Sequence, residues 1–190
     1  MNKLMVRMLA GLIACTAATN TAFAQAADTP FQVDFATEVT AIPTLITLSN
    51  SGASSTVASP QNGAICANAY AFSTSGPLLA CCSCRLGANN LRQVSVRNDL
   101  LLSANKAPPD SVVLKLMAST GSGGTCNAST VGTGANVLVT GMLAWTRRGT
   151  AGVNIVVPFT PATLSAAELV SINTQCAVLE PSGRACGSCP

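Results

Sequence analysis

Apolar residues recur at every second position over several short stretches of this chain. Phe31, Val33 and Phe35 alternate with more polar neighbours up to Val39, the pattern of a half-buried strand. Thr44-Leu-Ile-Thr-Leu48 predicts a second strand, ended by Ser49-Asn-Ser-Gly52. Ile65 to Phe72 is a nearly continuous apolar run which, as a strand, puts Cys66, Tyr70 and Phe72 on one face. Leu78 to Leu86 is followed by a turn at Gly87-Ala-Asn-Asn90. In the stretch from Leu91 to Leu102, Val94 and Val96 alternate with Gln93, Ser95 and Arg97. Ala107-Pro-Pro-Asp110 breaks the chain before a strand over Val112 to Ala118. Val137 to Trp145 and Val153 to Phe159 flank Arg147-Arg-Gly-Thr150, which reads as a hairpin with the two arginines at its solvated turn. Residues 49–63 and 119–134 read as long polar loops, the second a flexible one.

The period changes once. Ser165 and Glu168 form an S-x-x-E capping box, with Pro161 just upstream. Leu169, Ile172, Cys176 and Leu179 then follow at spacings of three and four, an apolar stripe on one face of a helix over about 165–180, ended by Pro181-Ser-Gly183. Several short strands between turn signals, then one helix, predict a mainly β protein: a single antiparallel β-sandwich-like domain with one C-terminal α-helix, covering residues 25–190.

Residues 1–24 read as a signal peptide. Met1 to Arg7 is basic, Met8 to Ala18 is apolar, and Ala22-Phe23-Ala24 offers a cleavage site before Gln25. Leu12-Ile13-Ala14-Cys15 offers a second reading, a bacterial lipobox with a lipid anchor on Cys15, although its apolar segment is short. Both readings send the protein out of the cytoplasm, to the periplasm, the cell surface or the medium. Beyond this segment no apolar run reaches the roughly 18 residues of a membrane-spanning helix, despite a mean hydropathy of +0.44.

Composition removes whole classes of chemistry. Histidine is absent, which excludes Ser-His-Asp and Cys-His nucleophilic sites and every histidine-ligated metal. Charged residues make up only 9% of the chain. Of ten basic residues, Lys3 and Arg7 leave with the signal, so eight face seven acidic ones. A near-neutral chain carries no electrostatic footprint for nucleic acid. The seven carboxylates form no recognisable motif, and the only pair worth weighing as a hydrolase is Asp99 with Asp110. No cofactor motif is present.

The remaining candidates are cysteines. Cleavage after Ala24 leaves eight: Cys66, Cys81, Cys82, Cys84, Cys126, Cys176, Cys186 and Cys189. An even number in an exported chain points to a disulfide framework. Two alternatives use the Cys81-x-x-Cys84 and Cys186-x-x-Cys189 pairs. One is a four-cysteine metal site. The other is a thiol-redox centre, although the helix that should follow Cys186-Gly-Ser-Cys189 in a thioredoxin-type motif is missing. On a strand Cys82 and Cys84 share one face while Cys81 and Ser83 share the other, so Cys81 and Cys82 should hold different partners. Eight cysteines allow 105 pairings. The expectation is that Cys176, Cys186 and Cys189 dock onto Cys81, Cys82 and Cys84, leaving Cys66 with Cys126.

Cys81-Cys-Ser-Cys84, followed by Asn90-Leu-Arg92 and Ser95-Val-x-Asn98-Asp-Leu100, resembles a group of uncharacterised exported bacterial proteins. The Leu164-Ser-Ala-x-Glu168 helix start, Cys176 and the terminal cysteine pair are similar to theirs too, so the resemblance spans roughly residues 65–190. It implies export and disulfides and carries no activity. The reading that results is a non-enzymatic extracellular or cell-surface β-domain, a structural or interaction module, whose long polar loops are either the place for partner recognition or merely tolerated insertions.

Overall fold

A computed structural model of the protein describes residues 28–54, 63–121, 125–150 and 153–180. Its elements in chain order are β1 (Phe31–Ala36), β2 (Leu45–Asn50), β3 (Ile65–Ser73), β4 (Leu78–Leu86), β5 (Leu91–Ser95), β6 (Val112–Ser119), β7 (Met142–Thr150), β8 (Val153–Pro158), the short β9 (Thr160–Pro161) and α1 (Ala166–Leu179). The strands form two sheets, ordered β4-β3-β6-β1-β9 and β5-β2-β7-β8. All neighbouring strands run antiparallel. The protein is thus a mainly β, sandwich-like domain with one C-terminal helix, as the periodicity predicts.

The space between the sheets is filled by Ile46 and Leu48 of β2, Val94 of β5 and Ala144 of β7, packed against alternate residues of the five-stranded sheet such as Ala67, Ala69, Leu114 and Leu116. A second core lies on the outer face of that sheet. There Phe31, Tyr70, Phe72 and Met117 meet Ile172, Cys176 and Leu179 of α1, together with Ala128 and Val131. Both faces of β3 are therefore covered, and the first eight of its nine residues are buried. That is why its sequence reads as a continuous apolar run rather than an alternation.

Four stretches depart from the sequence expectation. The first is β1, where Phe31 and Val33 pack toward the helix layer and Phe35 is exposed. The polar residues between them turn toward the other sheet: the Gln32 amide donates to the Met142 carbonyl at 2.8 Å, and Asp34 accepts from Arg148 of β7. The second departure follows from this contact. Arg148 is not in a turn but within β7, opposite Ile155 of β8. Its guanidinium reaches both Asp34 oxygens at 2.9 Å and donates to the Phe35 carbonyl. Thr146 donates to the same carboxylate, so one aspartate clasps the two sheets. Arg147, its neighbour, stays exposed.

The third departure is that the strand begun at Leu91 stops at Ser95 and gives way to a π-helical segment, Val96–Leu102. Ser95 caps it, its hydroxyl accepting from the Asn98 amide at 3.1 Å, while Asp99 reaches back to accept from the Ser95 amide at 2.6 Å. Reciprocal capping holds the segment, and Leu100 and Leu101 are buried beneath it.

The fourth is the segment after β6, which is ordered where it is described rather than a flexible loop. Asn127 accepts from the Ser129 amide at 2.8 Å and caps a short helical turn over Ala128–Thr130. Asn136, 1% exposed, ties Gly121, Asn127 and Thr130 together. Val137 and Val139 pair with the end of β6 before Gly141, at φ +109°, redirects the chain into β7, which therefore begins at Met142 and not at Val137. Residues 122–124 and 55–62 of the two expected loops lie outside the described residues.

Candidate functional site

The cysteines build upward from β4, whose alternation divides them between two layers. Cys81 faces outward to α1, where Cys176 stands on the buried stripe with Ile172 and Leu179. The two are joined in a disulfide with Cα atoms 5.9 Å apart. Cys66, on the same outer face of β3, is bonded to Cys126 with Cα atoms 5.4 Å apart. That bond fixes the start of the ordered segment carrying Ala128 and Val131. Gly121 is needed beside it. A Cβ there would stand 2.7 Å from the Cys66 sulfur and 2.8 Å from the Thr125 carbonyl oxygen, at a φ of +72°.

Cys82 and Cys84 face the other way, into the core between the sheets, as the strand period requires. Both are held in disulfides, and the Cys82 sulfur lies 4.0 Å from the Asp99 carbonyl oxygen of the π-helical segment. Their expected partners, Cys186 and Cys189, lie outside the described residues, as does Cys15. All six described cysteines are thus disulfide-bonded.

Polar groups sit around these bridges in saturated contacts. Asn68, fully buried on β3, donates to the Met117 carbonyl at 3.0 Å and the Ser119 hydroxyl at 2.9 Å, and accepts from Ser83 of β4 at 2.5 Å. Tyr70 donates to the Ala128 carbonyl at 2.7 Å. Burial, reinforced by the negative charge of Glu180, pushes the Tyr70 hydroxyl far above the ordinary phenol range. Lys115 holds Glu168 at 2.6 Å with its ammonium 4.8 Å from the Phe72 ring centroid. The Ser165 hydroxyl accepts from the Glu168 amide at 3.1 Å, so the cap forms, while the Glu168 carboxylate goes to β6 instead of closing the box.

Asp99 and Asp110, the candidate hydrolase pair, have separate engagements. Asp99 caps the π-helical segment. Asp110 accepts from the Thr40 hydroxyl at 3.1 Å, and its carbonyl accepts from the Val39 amide at 3.0 Å.

A pocket of about 430 Å³ opens on the segment after β6, lined by Thr125, Asn127, Thr130, Thr133, Asn136 and the adjoining Gly134–Ala135 backbone. These lining residues carry no ionisable side chain. Its amides and hydroxyls bind one another: Thr133 donates to the Thr130 carbonyl at 2.7 Å, and the Asn136 amide serves Asn127 and Thr130. Through its described residues such a pocket offers neutral hydrogen bonding. Sequence reasoning missed it because it placed no structure there; the Asn127-Ala-Ser129 capping pattern was the available signal.

The fold and the bridges together define a disulfide cross-linked β-sandwich with a helix stapled to one outer face. Comparison with protein-family models, curated proteins and solved structures finds no match.

Proposed function

We propose that this protein is an exported, non-enzymatic β-domain that serves as a structural or interaction module outside the cytoplasm. The observation that carries the reading is that each of the six described cysteines is committed to a disulfide. Such bonds persist in oxidising compartments and are rare in the cytosol. A sulfur in a disulfide is not a thiolate, so in this state none of the six is a metal ligand or a redox nucleophile. The N-terminal basic and apolar segments and the resemblance to exported bacterial proteins support the same destination.

The carboxylates support the non-catalytic half of the reading. Asp34, Asp99, Asp110 and Glu168 each hold a fold contact. The surface best suited to a partner is β8, the outer strand of the four-stranded sheet. It carries no charged residue, and Ile155 and Val156 are 48% and 59% exposed. An uncharged edge strand is a template for strand addition.

The test is fractionation of the native host, followed by the intact mass of the protein natively, denatured, and denatured after reduction. The reading expects an envelope or extracellular protein beginning at Gln25, with reduction adding two hydrogens for each of four bridges. A cytoplasmic protein with free thiols, or a native mass carrying a metal, sinks it.

A further inference from the structure

β8 ends its sheet, and its backbone shows which polar groups it turns outward. The Phe159 amide donates to the Ala144 carbonyl of β7 at 3.0 Å, and the Val157 carbonyl accepts from the Thr146 hydroxyl at 3.3 Å. The odd-numbered residues thus direct their backbone groups at β7. In an antiparallel ladder the residues between them face the other way. The N–H and C=O of Asn154 and Val156, with the carbonyl of Pro158, therefore line the outer edge. Among the described residues β8 pairs with β7 alone.

We propose that this edge pairs with the β8 of a second copy of the chain, antiparallel about a twofold axis through Val156, so that one sheet runs across both copies. The inference rests on β8 being a pairing edge, as proposed above, and names its partner. In this register Val156 exchanges both backbone hydrogen bonds with its counterpart. Each Asn154 amide donates to the Pro158 carbonyl of the other copy. Proline has no N–H to return, so the new ladder ends there. The twofold closes on itself, which gives a dimer and not a fibre.

Charge selects a second copy as the occupant. Pairing with itself sets a strand against its own side chains, and like charges directly opposite are destabilising. β8 carries no charge, whereas the edge strands β4 and β5 carry Arg85 and Arg92. The fourth edge, β9, has only two residues, one of them proline. Whole copies also approach with little repulsion, since residues 25–190 hold eight basic and seven acidic side chains. Apolar contact favours the same pairing. Val156, 59% exposed, stands opposite Arg147 on the outer face and meets its own counterpart. Ile155, 48% exposed, stands opposite Arg148, which reaches Asp34 of the other sheet. On that inner face it meets Val157 of the second copy. The contact is a single strand pair, at the small end of specific interfaces, so the dimer is a reversible one.

The test is sedimentation velocity of the purified, oxidised protein over a range of concentrations, with hydrogen exchange at both extremes. The protein should dimerise reversibly. In the dimer the Asn154 and Val156 amides should exchange about tenfold more slowly or better, while Ile155 and Val157, already bonded to β7, change little. Val156→Lys sets two ammonium groups against each other at a position exposed in the monomer, and should leave only monomer. Val156→Pro removes the outward N–H and no bond to β7, and should do the same. Leu91→Lys, at an exposed position of β5, should dimerise like the unaltered chain. Mixing Val156→Lys with Val156→Glu should restore a dimer, because residue 156 meets itself only in this register. A monomer at about 100 μM chain, a dimer that survives both Val156 variants, a mixture that stays monomeric, or protection gained elsewhere than on β8 would overturn the proposal. A monomer recovered from the envelope sinks the dimer and spares the surface role proposed above. A β8 dimer recovered from the cytoplasm does the reverse.

Discussion

Removing the Cys81–Cys176 bridge should release α1 from the sheet, and the size of the loss depends on what else cross-links the chain. The two cysteines are 95 residues apart. Taken alone, a bridge closing such a loop stabilises the fold by about 4.7 kcal/mol through the entropy of the unfolded chain. With Cys66–Cys126 intact, the shortest route between the two runs through that bond. The ring falls to about 65 residues and the contribution to about 4.3 kcal/mol. If Cys186 and Cys189 are bonded to β4, the ring shrinks to about a dozen residues and the contribution to about 2.8 kcal/mol. Both sulfurs are fully buried, so alanine at each site adds a small packing loss.

The assay is urea unfolding of a Cys81→Ala/Cys176→Ala variant, alone and combined with Cys186→Ser/Cys189→Ser. The expected loss is about 4 kcal/mol when the C-terminal cysteines are also removed, and nearer about 3 kcal/mol in the otherwise native chain if those cysteines are bonded to β4. Hydrogen exchange should report the cause: amides of α1 lose protection while those of β2 and β7 fall only with global stability. A loss below about 1 kcal/mol with α1 amides fully protected would refute the reasoning, since the helix would then be held by its packing alone.

Arg148→Ala leaves Asp34 with Thr146 as a partner but strips its countercharge. The pair is only partly exposed, 26% and 12%, so the expected cost is about 2 kcal/mol in urea unfolding, below the range for a fully buried pair; a change under 0.5 kcal/mol would show that the clasp is decorative. Tyr70 is the only tyrosine in the chain, so absorbance near 295 nm reads its ionisation directly. An unfolded tyrosine ionises near pH 10, while folded Tyr70 stays protonated well beyond that. Above about pH 10 the unfolded state therefore binds fewer protons than the folded one, and stability falls as pH rises, by at most about 1.4 kcal/mol per unit from this group. Tyr70→Phe should cost about 1–2 kcal/mol at neutral pH through the orphaned Ala128 carbonyl and remove that share of the alkaline loss; an ordinary titration near pH 10 in the folded protein contradicts the burial. Asp99→Ala should lower stability by about 1 kcal/mol by uncapping Val96–Leu102, whereas Asp99→Asn, which keeps an acceptor, should cost less; equal and negligible effects would return Asp99 to the list of catalytic candidates.

The elements with a clean period were legible. The helix could be read from Ser165, Glu168 and the Ile172–Cys176–Leu179 stripe, and the two-faced β4 from strand alternation alone. Where reading failed, a tertiary contact outweighed the local pattern. Phe31, Val33 and Phe35 look like the inward face of β1, yet Asp34 and Gln32 turn toward the other sheet because Arg148, Thr146 and the Met142 carbonyl, all on β7, satisfy them there. Nothing local in Arg147-Arg148 distinguishes a turn from a strand whose second arginine has a partner more than a hundred residues away. Val96–Leu102 begins in alternation with Val94, and only Asn98 and Asp99 speak locally against a strand. Its capping aspartate stands four residues after Ser95 rather than three, which suits a wider helical turn and escapes the usual template. The candidate site was legible as a set of cysteines, and the division of their partners by face followed from the strand period.

That division bears on why a chain with so few charges and aromatics folds. β3 and β6 separate two apolar layers, and the thinner outer one is closed by a single 14-residue helix and the segment after β6. Neither closing element contributes much packing: of the helix, only Ile172, Cys176 and Leu179 are buried, and Ala128 and Val131 are small side chains. Each is fastened by its own bridge, Cys176 to β4 and Cys126 to β3. The inner layer is built largely of alanine on β3, which lets the sheets approach but buries little area per residue. Cys82 and Cys84 enter that same layer. The helix and the segment after β6 are therefore held to the sheet by covalent closure as well as by their few buried side chains.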